Sequence, residues 1–121
     1  MTNPFKDQER FMLACDQTVG EIHAKQFKLY KDLIAEEFQE LQDATTQEDE
    51  LDALIDILVV TIGAIHSMGA NGEGAWNEVM RTNFAKIDEE TGKVRKRDDG
   101  KVLKPEGWTP PQLTKFLKDW P

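Results

Sequence analysis

Apolar positions recur at helical spacing through roughly the first 90 residues and then stop. Met12, Val19, Ile22 and Phe27 predict a first helix from about Pro4 to His23, interrupted near Gly20. A second helix is predicted from about Lys25 to Ala44, with Leu29, Leu33, Ile34, Phe38 and Leu41 as its buried face. Thr45 and Thr46 suit a break rather than a helix interior. Thr46 followed by Gln47, Glu48 and Asp49 reads as an N-cap with an acidic first turn, matched to the helix dipole. The third helix then carries a wide stripe of Leu51, Leu54, Ile55, Leu58, Ile62 and Ile65, closed by Gly69 as a C-terminal cap glycine. Val59 to Ile62 has strand propensity, but the length and 3.6-residue period of the segment favour helix. A fourth helix is predicted from about Gly74 to Ile87, carrying Trp76, Val79, Met80 and Phe84.

After Asp88 the chain becomes polar and glycine-punctuated. Asp98-Asp99-Gly100 between Val94-Arg95 and Val102-Leu103 predicts a small hairpin. Thr109 as N-cap and Pro110 at the first helical position predict a short last helix through Phe116 and Leu117. The fold class is therefore all-α and four-helix-bundle-like, one domain over 1–121 with a helical core at about 4–88 and an irregular basic tail at about 89–121.

Charge changes this picture. Lys and Arg number 15 against 23 Asp and Glu, a net charge of −8, so a nucleic acid polymer or an anionic membrane surface is an unfavourable partner. No stretch is long and apolar enough to span a bilayer, and MTNPFKDQER lacks the basic-then-apolar pattern of a secretory signal. The single cysteine, Cys15, excludes an internal disulfide and a cysteine metal cage; it is expected to be buried, in a cytoplasmic protein. His23 and His66 read as packed or surface histidines, and Trp76, Phe84 and Trp108 as packing residues. There is no Walker A loop.

The negative charge is concentrated. Residues 32–56 hold ten acids and no Lys or Arg, while residues 91–121 hold eight bases against four acids. An acidic helix face is usually solvated surface, but a one-sign block across two adjacent helices repels itself and calls for a counter-ion. Residues rotate about 100° per step around a helix, so Glu37 and Glu40 share one face, as do Asp49, Asp52 and Asp56. Antiparallel pairing of the two helices gathers these carboxylates around one point. Oxygen ligands without His or Cys suit a hard cation, Mg²⁺ or Mn²⁺, and such a site serves phosphoryl chemistry.

Glu36-Glu37-Phe38-Gln39-Glu40 followed by Asp49-Glu50-Leu51-Asp52 resembles the EExxE…ExxD signature of the all-α nucleoside triphosphate pyrophosphohydrolases, with Asp49 in the position of the second Glu. Within that superfamily the chain is similar to the small MazG-like, phosphoribosyl-ATP pyrophosphohydrolase-like proteins of bacteria and phages. The similarity extends through Asp52-Ala53-Leu54-Ile55-Asp56, Gly63 and Gly69, and Thr82-Asn83-Phe84-Ala85-Lys86, to the tail from Gly100 to Pro111, and so covers about Lys31 to Pro111. The resemblance implies Mg²⁺-dependent cleavage of a nucleoside triphosphate between the α and β phosphates. It implies Glu37, Glu40, Asp49 and Asp52 as metal ligands, Glu36 as a further ligand or water-orienting base, and Asp56 as a nearby ligand or substrate contact. Glu36 or Glu37 would orient or deprotonate the water. Asn83 and Lys86, on one helix face, suit phosphate binding, with Arg81 and Lys104 adding to it. A homodimer or a dimer of dimers is expected. The rival readings are a non-catalytic helical dimer that binds nucleotide or metal, and phosphoribosyl-ATP hydrolysis itself.

Overall fold

A computed structural model describes residues 3–118. Its regular structure is helical: α1 (Pro4–Ala14), α2 (Ala24–Asp43), α3 (Gln47–Ser67) and α4 (Gly72–Phe84), followed by a single 3₁₀ turn at Thr114–Phe116. Among the described residues β-pairing is limited to isolated bridges. Residues 3–72 with 116–118 form one compact unit and Glu73–Lys115 another.

Capping explains the helix starts in the first unit. Asn3 Oδ1 accepts the Lys6 N–H at 2.9 Å, with Pro4 next to it inside the helix. His23 Nδ1 accepts the Gln26 N–H at 3.1 Å at the start of α2. Thr46 Oγ1 accepts the Asp49 N–H at 3.1 Å at the start of α3, as its position predicts. Met68 ends α3 and Gly69 takes φ +74°. The expected first helix to His23 is corrected. It stops at Ala14, because Asp16 enters the left-handed region at φ +60° and the Gln17 N–H turns back to the Met12 carbonyl at 2.9 Å. Residues 17–23 instead run alongside the end of α3, where the His23 N–H donates to the Ser67 carbonyl at 2.8 Å and Ile22 pairs with Met68.

Packing of α2 on α3 makes the core. Met12, Tyr30 and Ala64 form its centre, with Val19, Phe27, Leu33, Ile34 and Val60 against it. The buried face of α2 matches the expected one at Leu33, Ile34 and Leu41, which are partly buried, and departs from it elsewhere. Gln26 and Tyr30 are buried, whereas Leu29 and Phe38 are about half exposed. On α3, Ile62 is buried but Leu51, Leu54, Ile55 and Leu58 are exposed. The reason is register. Gln26 meets Ser67, and Tyr30 meets Gly63, so α2 residues four apart face α3 residues four apart in the opposite direction. The helix α1 is tied to α3 where His66 Nε2–H donates to the Phe5 carbonyl at 2.8 Å, an acceptor that sets the imidazole tautomer. Cys15, expected to be buried, is exposed.

In the second unit α4 ends at Phe84 rather than Ile87, its last turns tightening into Lys86–Asn83 and Ile87–Phe84 bonds. Trp76 and Phe84 are exposed rather than packed. The predicted hairpin is present: the Arg97 N–H donates to the Lys101 carbonyl and the Leu103 N–H to the Arg95 carbonyl, both at 2.8 Å, around Gly100 at φ +88°. The predicted last helix shrinks to the 3₁₀ turn. Pro111 disfavours the helical conformation at Pro110, and the Gln112 N–H donates to Glu78 Oε2 at 2.7 Å. The tail residues 119–121 lie outside the described residues.

Met12 is fully buried while its neighbour Phe11 is 62% exposed. Met12→Ala is expected to lower the unfolding free energy by about 2–5 kcal/mol. Phe11→Ala is expected to change it by about 0.5 kcal/mol or less. Urea unfolding followed by circular dichroism checks both, and equal losses would contradict this placement of the core.

Candidate metal centre

The antiparallel register carries acids as well as apolar groups. Seven residues beyond Tyr30 on α2 stands Glu37, and seven before Gly63 on α3 stands Asp56. These positions are partners in the same seam, so side chains that a core would fill with Leu or Val are carboxylates. Glu40 lies one turn further along α2. One oxygen each from Glu37, Glu40 and Asp56 lie within 4.8 Å of one another. Glu37 and Asp56 are half-buried and Glu40 is exposed, so the cluster opens to solvent on one side.

Its electrostatics follow from that crowding. Burial pushes the Glu37 carboxyl up from its ordinary value, and a proton-requiring contact with Glu40 and the negative charges of Glu40, Asp56 and Asp52 raise it further. Asp56 is raised by burial, then by Asp52 and Glu40. Glu37 Oε2 is buried without a hydrogen-bond partner. A buried carboxylate oxygen left without a donor is costly unless a cation takes its lone pairs. The donor set is oxygen only, and a hard divalent cation fits it.

The structure brings together Glu37, Glu40 and Asp56, and sets Asp52 within electrostatic reach of Glu37 and Asp56. Asp49 sits apart in the capped first turn of α3, and Glu36 is exposed on α2 beside the cluster. On α3, Asp56 rather than Asp49 joins the carboxyls of α2.

The phosphate-binding candidates occupy the second unit, around Trp108. Its indole N–H donates to the Thr82 carbonyl at 2.7 Å. The Lys86 and Lys104 ammonium groups lie 5.2 and 4.7 Å from its ring centre. Lys86 Nζ also donates to Asn83 Oδ1 at 3.0 Å, which makes those two residues one polar group. Arg81 is ion-paired within α4: its Nε and Nη2 donate to the two Glu78 oxygens at 2.8 and 3.1 Å. Sequence reasoning missed Glu78, a buried carboxylate that also accepts the Gln112 N–H. The Arg81 hydrogen bonds, followed by that backbone N–H, hold its pKa down at about 2. The i, i+3 spacing of Glu78 and Arg81 was the available signal.

A family model described as phosphoribosyl-ATP pyrophosphohydrolase matches residues 7–83. The matched segment holds the whole carboxylate cluster and ends before the hairpin and Trp108. No curated protein matches the chain.

A carboxyl whose pKa is raised on folding adds stability that is present at acid pH and is lost as pH rises through the folded value. Glu37 therefore destabilises the metal-free fold from above its ordinary carboxylate range up to neutral pH. Glu37→Gln is expected to raise the melting temperature in EDTA at pH 7, by a few degrees. Near pH 4 that gain is expected to vanish. Calorimetry at the two pH values reads the difference, and a variant less stable than wild type at pH 7 would contradict the repulsion.

Proposed function

The chain belongs to the phosphoribosyl-ATP pyrophosphohydrolase family, within the MazG-like all-α NTP pyrophosphohydrolases, and from that premise we propose an enzyme that hydrolyses a (deoxy)nucleoside triphosphate to the monophosphate and pyrophosphate. Family membership supports hydrolysis of a pyrophosphate bond and dependence on a divalent metal. The observation that carries the reading is the oxygen-only cluster of Glu37, Glu40 and Asp56, with a buried Glu37 oxygen lacking any hydrogen-bond donor.

On this reading Glu37, Glu40 and Asp56 hold Mg²⁺, with Mn²⁺ as a substitute, and Asp52 and Asp49 add negative charge along α3. The bound cation supplies polarisation of phosphoryl oxygens and a lowered pKa for a coordinated water. Glu36, solvent-exposed beside the cluster, orients the attacking water and accepts its proton. Attack falls on the α-phosphorus, the bond from it to the bridging oxygen breaks, and pyrophosphate leaves. Asn83 and Lys86 bind phosphate oxygens as a pair, and Lys104 adds a second positive charge. Arg81 acts through Glu78 as part of the scaffold. A nucleoside triphosphate is proposed over phosphoribosyl-ATP because the tail from Gly100 to Pro111, which carries Lys104, resembles that of the small MazG-like group rather than that of the phosphoribosyl-ATP enzyme. The physiological role is control or cleansing of the nucleotide pool, in the cytoplasm.

The protein is further proposed to act as a homodimer or a dimer of dimers. Phe38, Leu51, Leu54, Ile55 and Leu58 remain between 47% and 62% exposed on the paired helices α2 and α3. Large apolar side chains left exposed on two paired helices suit an interface with another copy. Light scattering coupled to size exclusion is expected to give at least twice the 13.8 kDa chain mass.

The activity is tested with a panel of NTPs, dNTPs and phosphoribosyl-ATP, with Mg²⁺ and with EDTA, by phosphorus NMR. Pyrophosphate and a monophosphate from one or more NTPs, abolished by EDTA, is the expected result. Glu37→Gln is expected to lower kcat/KM by roughly 100-fold or more. Cleavage of phosphoribosyl-ATP alone would reassign the substrate. Orthophosphate and a diphosphate would overturn the bond assignment. No turnover, with Glu37→Gln and Glu40→Gln leaving nucleotide binding intact, would favour the non-catalytic reading.

A further inference from the structure

The cluster of Glu37, Glu40 and Asp56 depends on how closely α2 and α3 approach, and that approach is set elsewhere in the seam. Gly63 is buried on α3 with its backbone against the Tyr30 ring. A Cβ on Gly63 would lie within 2.8 Å of Tyr30 Cε1, Cδ1 and Cζ. Carbon atoms in ordinary contact sit about 3.5 Å or more apart, so any side chain there would part ring and backbone by roughly 1 Å. The ring has little room to yield. Tyr30 is 5% exposed, packs in one cluster with Met12 and Ala64, and its hydroxyl donates to Gln17 Oε1.

One turn further along the same seam a polar layer locks the register. Gln26 Nε2 donates to Ser67 Oγ at 2.8 Å and to the Thr18 carbonyl at 2.7 Å, while Ser67 Oγ donates to the Gly63 carbonyl at 2.7 Å. Tyr30 and Gly63 each stand seven residues from their acidic counterpart, Glu37 and Asp56, which is about 10 Å along a helix. The two helices are stiff over that distance. Mg²⁺ requires near-ideal octahedral geometry with oxygens at about 2.0–2.1 Å, so ligands from two helices tolerate little change in spacing.

We infer that Gly63 is a positioning residue for the carboxylate cluster: its missing side chain lets Tyr30 draw α2 and α3 to the separation at which Glu37 and Asp56 share one cation. The inference rests on the metal-binding reading of that cluster. Gly63 touches neither metal nor substrate and acts only through Tyr30 and the helix spacing.

The test compares wild type, Gly63→Ala, Tyr30→Leu and the double variant Gly63→Ala/Tyr30→Leu as full chains, titrated with MnCl₂ alone by calorimetry. Helicity is checked by circular dichroism. Gly63→Ala is expected to bind Mn²⁺ at least tenfold more weakly than wild type at unchanged helicity. The double variant, with room for the added methyl, is expected to return to within threefold of Tyr30→Leu. Gly63→Ala binding as wild type does, or a double variant no tighter than Gly63→Ala, overturns the inference. If Gly63→Ala does not fold, a folded double variant that fails to bind Mn²⁺ while Tyr30→Leu binds it overturns the inference. Wild type that takes up no Mn²⁺ would instead sink the metal-binding reading. Crystal structures of wild type and of the variants that fold then decide the inference. It requires a wider Glu37–Asp56 separation in Gly63→Ala than in wild type, or, where only the double variant folds, a separation restored to that of Tyr30→Leu.

Discussion

Like charges held in a helix seam are the constraint around which the first unit is organised. An antiparallel pair of helices ordinarily fills its inward positions with apolar groups, and α2 and α3 do so with Leu33 and Val60. One layer on, the same periodicity delivers Glu37 and Asp56, and Glu40 beside them. Left to themselves these groups repel and retain protons, as the upward shifts of Glu37 and Asp56 express. The arrangement persists because the rest of the seam holds it: Tyr30 against Gly63, Gln26 on Ser67, and α1 tied to α3 through Phe5 and His66. Apolar and polar packing in one half of the helix pair imposes the spacing that the acidic half would refuse.

The second unit solves a different problem. A chain segment with little apolar content is kept in place by a few directed interactions rather than by a core. Glu78 binds Arg81 on its own helix and the backbone of Gln112, and Trp108 is anchored through its indole N–H to Thr82. The two lysines on the Trp108 ring are thereby brought from positions 18 residues apart to a common aromatic surface. A carboxylate with a pKa of about 2 remains charged through the whole physiological range, so this anchoring does not weaken with ordinary acidification.

Helix ends are legible in the sequence where a residue of ordinary capping type stands at them, and not at α2, where His23 makes the cap. Thr46 and Gly69 act as such residues are expected to. The end of α1 is not legible, because Asp16 in a left-handed conformation has no compositional mark. The buried face of α2 is legible at Leu33 and Ile34 and misread at its edges for a physical reason. Leu29 and Phe38 are the obvious apolar candidates, but α3 presents Gly63 and Ser67 to α2, and small or polar partners accept Tyr30 and Gln26 instead. Of the acidic set, Glu37 and Glu40 are legible from spacing. Asp56 and Asp49 fit the helical pattern equally well, and only the register of α2 on α3 separates them. The spacing of Glu78 and Arg81 marks an ion pair, but nothing in the sequence marks the second partner of Glu78, 34 residues away.

Glycine in the middle of a helix is disfavoured by roughly 0.5–1 kcal/mol relative to alanine, and replacing such glycines is a standard route to thermostable variants. Gly63 sits at such a position, seventeen residues into a helix of 21. Here the loss in backbone entropy is the condition for a close approach between two helices. An engineer who raised helix propensity at this site would improve the local score of α3 while forcing apart the ring and backbone on which the helix pair closes. Heat resistance in this protein is better sought on the solvent-facing positions of α1 and α2, away from the seam.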